Sequence, residues 1–169
     1  MRRRRKVLSA ALVIAIVGIG FAIAYAGMRT DVVERADPDR FKRELAAASV
    51  GKSYLELAEV ADFRWDRVHL FGPYTTWEEM EQAVGTSWST GSLFGDLLRG
   101  TSIGRYPLDD DSLQKLVFLQ GDKVVLDVTL QRGELDFTSV LGKHERENAA
   151  FRIDRTKEFP TAVVEPVQE

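Results

Sequence analysis

Two histidines and a run of three aspartates are the side chains of this sequence best suited to acid–base or metal chemistry. His69 follows Asp66 by three residues, and a carboxylate and an imidazole held together could act as an acid–base pair in hydrolysis. Residues three apart on a β-strand point to opposite faces of the sheet. Since the surrounding pattern predicts a strand, the spacing counts against a catalytic pair at Asp66 and His69.

The other candidates for chemistry lack the spacing that their chemistry needs. The aspartates at 109–111 could contribute to a calcium site, but the alternating acidic spacing and the later bidentate glutamate of a calcium loop are absent. His144 lies among charged residues, and the chain has no cysteine to complete a zinc site. Residues 51–53 (Gly-Lys-Ser) match only the ending of a phosphate-binding loop. The sequence therefore predicts no catalytic residue, no metal site and no cofactor.

An aromatic-rich stretch at residues 63–82, FRWDRVHLFGPYTTWEEMEQ, could instead form a binding surface. Trp65, His69, Tyr74 and Trp77 are the side chains that would build it. The alternative, which the sequence favours, is that these residues turn the chain, with Trp65 in the core and the Tyr74 ring buried with its hydroxyl satisfied. Substitution separates the two interpretations, because loss of core packing lowers stability and loss of a surface lowers binding.

A glycine-bracketed segment at residues 91–100, GSLFGDLLRG, is a second candidate for binding. Phe94 and Leu97 lie on one side of the short amphipathic helix that it could form. Such a turn could cap the sheet, or it could offer an apolar patch to a partner or to a bilayer surface. We therefore add Phe94 and Leu97 to the candidate binding surface.

The elements that must position these residues follow from periodicity and turn signals. In chain order they are one helix with a weak centre or two short helices from residue 38 to 61, a strand at 64–71, a helix opened by a capping box at 76–79 and closed by Gly85, a β-hairpin of strands 113–120 and 123–131, and an edge strand at 150–155. This order predicts an α+β fold, with one small antiparallel sheet and helices on one face.

The N-terminal 26 residues have the character of a membrane or export segment. Residues 1–6 read MRRRRK, and the twenty residues at 7–26 carry no charge. A helix of that length spans about 30 Å, the hydrocarbon thickness of a bilayer. We expect a transmembrane anchor, with a cleaved export signal ending at Ala26 as the alternative. The predicted organisation is an anchor at 1–26, a stalk at 27–37, an α+β domain at 38–157 and a flexible tail at 158–169.

Charge and composition extend this prediction to location and partners. An N-terminal basic cluster stays in the cytoplasm, so the domain would lie outside it, attached to the cell membrane by a single pass. Apart from residues 1–6, the chain has 18 basic and 26 acidic side chains. An acidic domain repels nucleic acid, which we therefore exclude as a partner. Without cysteine, no disulfide can stabilise the domain.

The segment WDRVHLFGPYT at 65–75, followed by a predicted helix, by VGTSW and by the hairpin LVFLQGDKVV, resembles a known pattern. It is similar to the Trp-Asp-x-Val-x-x-Phe-x-Pro-Tyr-Thr core of a family of small exported bacterial proteins of unassigned function. The resemblance covers residues 63–137 and implies a fold and a location, but no activity.

Taken together, the sequence predicts a membrane-tethered, extracytoplasmic binding or accessory module that is not an enzyme. Its ligand is unknown, and a protein of the cell envelope is a possible partner. The alternative is a cell-envelope hydrolase that uses Asp66 and His69 as an unusual acid–base pair.

Overall fold

The structure, a computed structural model, describes residues 36–88 and 107–164. Its regular elements are, in chain order, α1 (Pro38–Ser49), β1 (Tyr54–Glu56), α2 (Leu57–Val60), β2 (Arg67–Phe71), α3 (Trp77–Val84), β3 (Leu113–Gln120), β4 (Lys123–Gln131), β5 (Gly142–Glu145), a 3-10 helix (Arg146–Asn148), β6 (Ala150–Asp154) and β7 (Thr161–Val163).

Local capping signals determine where both longer helices begin. Asp37 accepts hydrogen bonds from the backbone N–H groups of Asp39 and Arg40, and Pro38 occupies the first turn of α1. Thr76 and Glu79 form the reciprocal capping box that opens α3. These predicted helix starts are confirmed, as is the left-handed Gly85 (φ 82°) that ends α3.

The helical pattern that continues past α1 is interrupted by a strand. The chain turns at Gly51, where φ is +68°, and residues 54–56 then form β1 before the single turn of α2. Of the two alternatives for residues 38–61, the pair of short helices is therefore correct. Leu55 of β1 is buried against Phe151 of β6, its partner in the sheet, and this distant pairing overrides the local helical pattern.

Two antiparallel sheets replace the single sheet that the sequence predicted. The larger sheet has the strand order β4-β3-β2-β5, and the smaller one has the order β1-β6-β7. The predicted hairpin of β3 and β4 is confirmed. A bulge in the pairing between Phe118 and Leu119 leaves Val125 as an extra residue of β4, so that the consecutive residues Val125 and Leu126 belong to the same apolar cluster. The predicted edge strand at 150–155 is instead the central strand of the smaller sheet.

The larger sheet is covered on both faces, because successive strand residues point to opposite sides. Phe118 packs with Phe41 of α1 in one apolar cluster, which also includes the smaller sheet. Its neighbours Val117 and Leu119 pack with Met80 and Val84 of α3 in a second cluster. The prediction that the helices share one face is therefore wrong. We call the side that α3 covers the α3 face.

The predicted transmembrane helix has no counterpart in the part of the chain that the structure describes. Within residues 36–88 and 107–164, no helix combines the length and the apolar character needed to cross a membrane, and the longest, α1, has 12 residues. Residues 7–26, on which that prediction rested, lie outside the described part of the chain. The fold class is α+β with two antiparallel sheets and short helices, and we do not carry the single-pass membrane attachment forward.

The predicted flexible tail also needs correction, since residues 161–163 form β7. Thr161 and Ala162 are buried, and Ala162 donates a backbone hydrogen bond to the carbonyl oxygen of Asp136. A three-residue strand beside Pro160 carries no periodic pattern. Its pairing with β6 and with residue 136 decides its structure.

Candidate functional site

Trp65 belongs to the core and not to a surface. It is 4% exposed, and its ring meets Phe118 edge-on with the ring centroids 5.0 Å apart. The Arg146 guanidinium lies 4.9 Å from the centroid of the Trp65 ring, at cation–π distance. These contacts place Trp65 on the face of the larger sheet opposite α3. Contrary to the sequence prediction, Trp65 therefore does not form one surface with His69 and Trp77.

The hypothetical acid–base pair is not assembled. The Asp66 carboxylate accepts a hydrogen bond of 2.5 Å from the Gly121 N–H and lies 3.6 Å from Arg67. Asp66 thus ties the start of β2 to the turn of the β3–β4 hairpin. His69 instead stacks on Phe71, with the ring centroids 6.0 Å apart, and no contact joins it to Asp66. The observed contacts of Asp66 and His69 therefore do not support a hydrolase that uses them as an acid–base pair.

His69 is a buried, largely uncharged residue of the α3 face. It is 4% exposed and lies opposite Val117 on one side and Lys143 on the other. Burial lowers the pKa of His69 below its ordinary value of 6.5, and the positive charges of Arg67 and Lys143 lower it further, although the Glu145 carboxylate opposes them. The imidazole is therefore neutral at pH 7.

We expect the folded state to lose stability as the pH falls below about 6.5, because the unfolded chain then binds a proton that folded His69 resists. Because the pKa of folded His69 is lowered, its contribution to the free energy of unfolding is fully present above about pH 6.5 and is lost as the pH falls through the lowered pKa. Urea unfolding at pH 7.5 and 5.5 measures the loss, in a range above the titration of ordinary carboxylates. The His69→Phe variant should show a smaller difference between the two pH values, and an equal difference would contradict the assignment.

The corner between β2 and α3 holds the most unusual backbone of the described residues. Tyr74 has φ +63°, and it is the single non-glycine residue with a positive φ in this part of the chain. Its side chain is 57% exposed and makes no ring contact or side-chain hydrogen bond with the described residues, while its N–H donates to the Leu108 carbonyl oxygen at 2.6 Å. The prediction that this ring is buried is therefore wrong.

Beside this corner lies an open, mostly apolar groove of about 370 Å³. Its floor includes the buried residues His69, Leu70 and Phe71, and Leu141 and Lys143 lie at its side. Gly72 allows the close approach of Leu141, because a Cβ atom at position 72 would lie 3.0 Å from Leu141 Cδ1. Leu141 nevertheless remains 48% exposed. We call this groove together with the Tyr74 ring the corner surface.

A buried charged cluster, which the sequence did not indicate, lies on the same α3 face. Lys115 of β3 forms an ion pair with Asp127 of β4, and their side chains are 6% and 13% exposed. Trp88 Nε1 donates to the second Asp127 oxygen at 2.8 Å, and Lys115 Nζ lies 5.1 Å from the centroid of the Trp77 ring. One charged residue in the middle of each hairpin strand was the only signal for this pair.

The predicted surface is thus divided by the larger sheet. His69 and Trp77 share the α3 face, whereas Trp65 lies on the opposite face. Tyr74 lies at the corner between β2 and α3, where its neighbour Thr75 lines the groove. Phe94 and Leu97 lie outside the described residues. The structure brings Leu141 and Gly72 to the corner instead, and neither residue was part of the predicted surface.

Comparison with known proteins identifies no relatives. No protein-family model matches the chain, and neither the curated proteins nor the solved structures include a match. The resemblance of residues 63–137 to small exported bacterial proteins therefore stays a prediction, and the fold and the corner surface are the grounds for a functional proposal.

Proposed function

We propose that this protein is a non-catalytic binding module that docks a protein partner on the corner surface. The observation that carries the proposal is Tyr74, a bulky residue in a left-handed backbone conformation with most of its ring in solvent. The location of the domain outside the cytoplasm stays a prediction, as does the cell-envelope origin of the partner.

Among the described residues, the strained conformation of Tyr74 is accompanied by one backbone hydrogen bond, from its N–H to the Leu108 carbonyl oxygen, and by no contact of its ring. A left-handed conformation costs a non-glycine residue about 1–2 kcal/mol. A buried ring could offset that cost, but the Tyr74 ring is mostly exposed. Strained residues that the fold retains are concentrated at functional sites, and an exposed tyrosine is a common anchor in protein interfaces because it buries a large area with few rotatable bonds.

The groove, which Gly72 and Thr75 of the same corner line, provides what a docking partner needs besides that anchor. Its lining is mostly apolar, and the exposed Leu141 side chain extends the apolar area. Lys143 and Glu145 form an ion pair of 2.6 Å on the neighbouring strand β5. An apolar centre with a charged rim is the usual anatomy of a protein interface. We therefore expect the partner to insert a leucine- or phenylalanine-like side chain into the groove.

Two substitutions at one position test the strain that carries this proposal. Tyr74→Gly relieves the positive φ, whereas Tyr74→Ala removes the ring and keeps the strained backbone. We expect the glycine variant to be about 1 kcal/mol more stable than the alanine variant, and no less stable than the natural protein. Thermal unfolding of the three proteins measures this order.

The exposed Tyr54 provides a matched control, because it lies in strand β1 and has an ordinary negative φ. There the alanine variant should be the more stable of the pair, since glycine weakens a strand. A glycine variant at position 74 that unfolds several degrees below the natural protein would show that Tyr74 serves the fold, and it would remove the main support for docking at this surface.

A further inference from the structure

A second groove, independent of the corner surface, lies on the other side of the larger sheet. It has a volume of about 520 Å³ and lies between α2, the segment from Ala61 to Asp66 and the 3-10 helix. Trp65, Phe63 and Ala58 contribute its apolar wall, while Arg64 and Arg146 contribute two guanidinium groups. We call it the Trp65 groove.

The charged groups of this groove are unequally satisfied. Asp62 is bound by Arg40 at 2.6 Å, and Asp66 accepts from the Gly121 N–H. Arg64 and Arg146, by contrast, have no carboxylate within 4 Å among the described residues, and the one hydrogen bond of the Arg146 guanidinium is a 3.3 Å contact with the Ala58 carbonyl oxygen. Arg64 and the exposed Glu59 therefore have no charged partner among the described residues, whereas Arg146 contacts the Ala58 carbonyl oxygen and the face of the Trp65 ring and keeps its other N–H donors available.

The indole N–H of Trp65 is a buried donor without a hydrogen-bond partner in the described part of the chain. Native proteins pair about nine in ten buried polar groups, and an unpaired one calls for an explanation such as a missing ligand. Trp65, which carries this unpaired N–H, lines the groove together with Arg64 and Arg146 and with the carboxylate residues Glu59, Asp62 and Asp66.

We propose that the Trp65 groove binds a ligand with a carboxylate group and an apolar body. A planar guanidinium binds a carboxylate through two parallel hydrogen bonds, and Arg64 and Arg146 are the two groups available for this role. The apolar part of the ligand packs against Phe63 and Ala58. The carboxylate could belong to a free organic acid or to the C-terminus of a polypeptide, which share this chemistry.

Titration of the full-length protein with hexanoate, with hexanamide as the uncharged control, tests the proposal. The chain has three tryptophans, and the Trp65→Phe variant identifies the Trp65 indole signal in a nitrogen–proton NMR spectrum by its loss. Hexanoate should shift that signal saturably at millimolar concentration, and hexanamide should not. If neither compound shifts the signal, or if both shift it equally, the proposal is wrong.

The variant Arg64→Gln keeps the test independent of core packing, since Arg64 is exposed. It should weaken hexanoate binding about tenfold or more, whereas Arg152→Gln, a change of an exposed arginine outside the groove, should leave the affinity unchanged. Equal affinities of the two variants for hexanoate would overturn the assignment.

A short N-acetylated peptide with a free or an amidated C-terminus distinguishes the two sources of the carboxylate, a polypeptide C-terminus and a free organic acid. Tighter binding of the free peptide than of hexanoate indicates chain ends, and the reverse indicates free acids.

Discussion

Replacement of Trp65 by alanine is expected to lower the free energy of unfolding by about 3–5 kcal/mol, as is typical when a buried aromatic side chain is removed. The reason is its position among Phe41, Phe63 and Phe118, which meet one another edge-on at centroid distances of 5.2–6.3 Å. Without the indole, Phe118 loses its 5.0 Å partner and Arg146 loses the ring that it covers. Chemical denaturation of the full-length protein measures the loss.

The matched control for this prediction is Tyr74→Ala, which removes an aromatic ring of similar size from an exposed position. That variant should remain within about 1 kcal/mol of the natural protein. Equal losses at positions 65 and 74 would contradict the assignment of Trp65 to the core and of Tyr74 to the surface.

Breaking the Lys115–Asp127 pair is expected to have an effect of similar size. Removal of one partner from a buried ion pair costs about 3–5 kcal/mol, because the other charge is left buried and uncompensated. The Asp127→Asn variant tests this with little change in shape, and its amide oxygen can still accept the hydrogen bond from Trp88. The loss should therefore come from Lys115.

The double variant Lys115→Met with Asp127→Asn removes both charges. We expect it to be more stable than the Asp127→Asn single variant, because no unpaired charge is left in the interior. Equilibrium unfolding in urea of the two single variants and the double variant completes the cycle. If the two losses simply add, the pair is not coupled in the folded protein.

The sequence predicted best what depends on neighbouring residues. Asp37 and the Thr76–Glu79 capping box locate two helix starts because a cap acts over three residues, and Gly121-Asp122 locates the hairpin because a tight turn has its own residue preferences. These signals produce the same local structure in almost any surroundings, so they could be read without the rest of the fold.

Elements that depend on distant partners were missed or misplaced. The strand β5 is four residues long and includes Lys143 and Glu145, a composition typical of solvated loops, and it forms because it pairs with β2. The tail strand β7 depends in the same way on β6. The transmembrane helix came from hydrophobicity alone, and the described residues contain no helix of that kind.

The candidate site was only partly predictable, because some of its residues are marked by local sequence and others reach it through distant strand pairing. The aromatic-rich turn indicated a candidate binding surface at residues 69–77. Alternation along one strand could not show that Trp65 and His69 lie on opposite faces of a sheet that is covered on both sides. The positive φ of Tyr74 has no sequence signature in a tyrosine. Leu141, almost seventy residues away, reaches the corner only through the pairing of β2 with β5.

Site-specific photocrosslinking from the corner surface tests the docking proposal most directly. A photoreactive phenylalanine analogue replaces Tyr74 in the full-length protein, and a second protein carries it at Leu141. A third has it in place of Phe159, an exposed aromatic residue on the loop between β6 and β7. The proposal predicts that positions 74 and 141 form an adduct with the same partner protein in the cells that make this protein, and that position 159 does not. Absence of an adduct from positions 74 and 141, or the same adduct from all three positions, would contradict it.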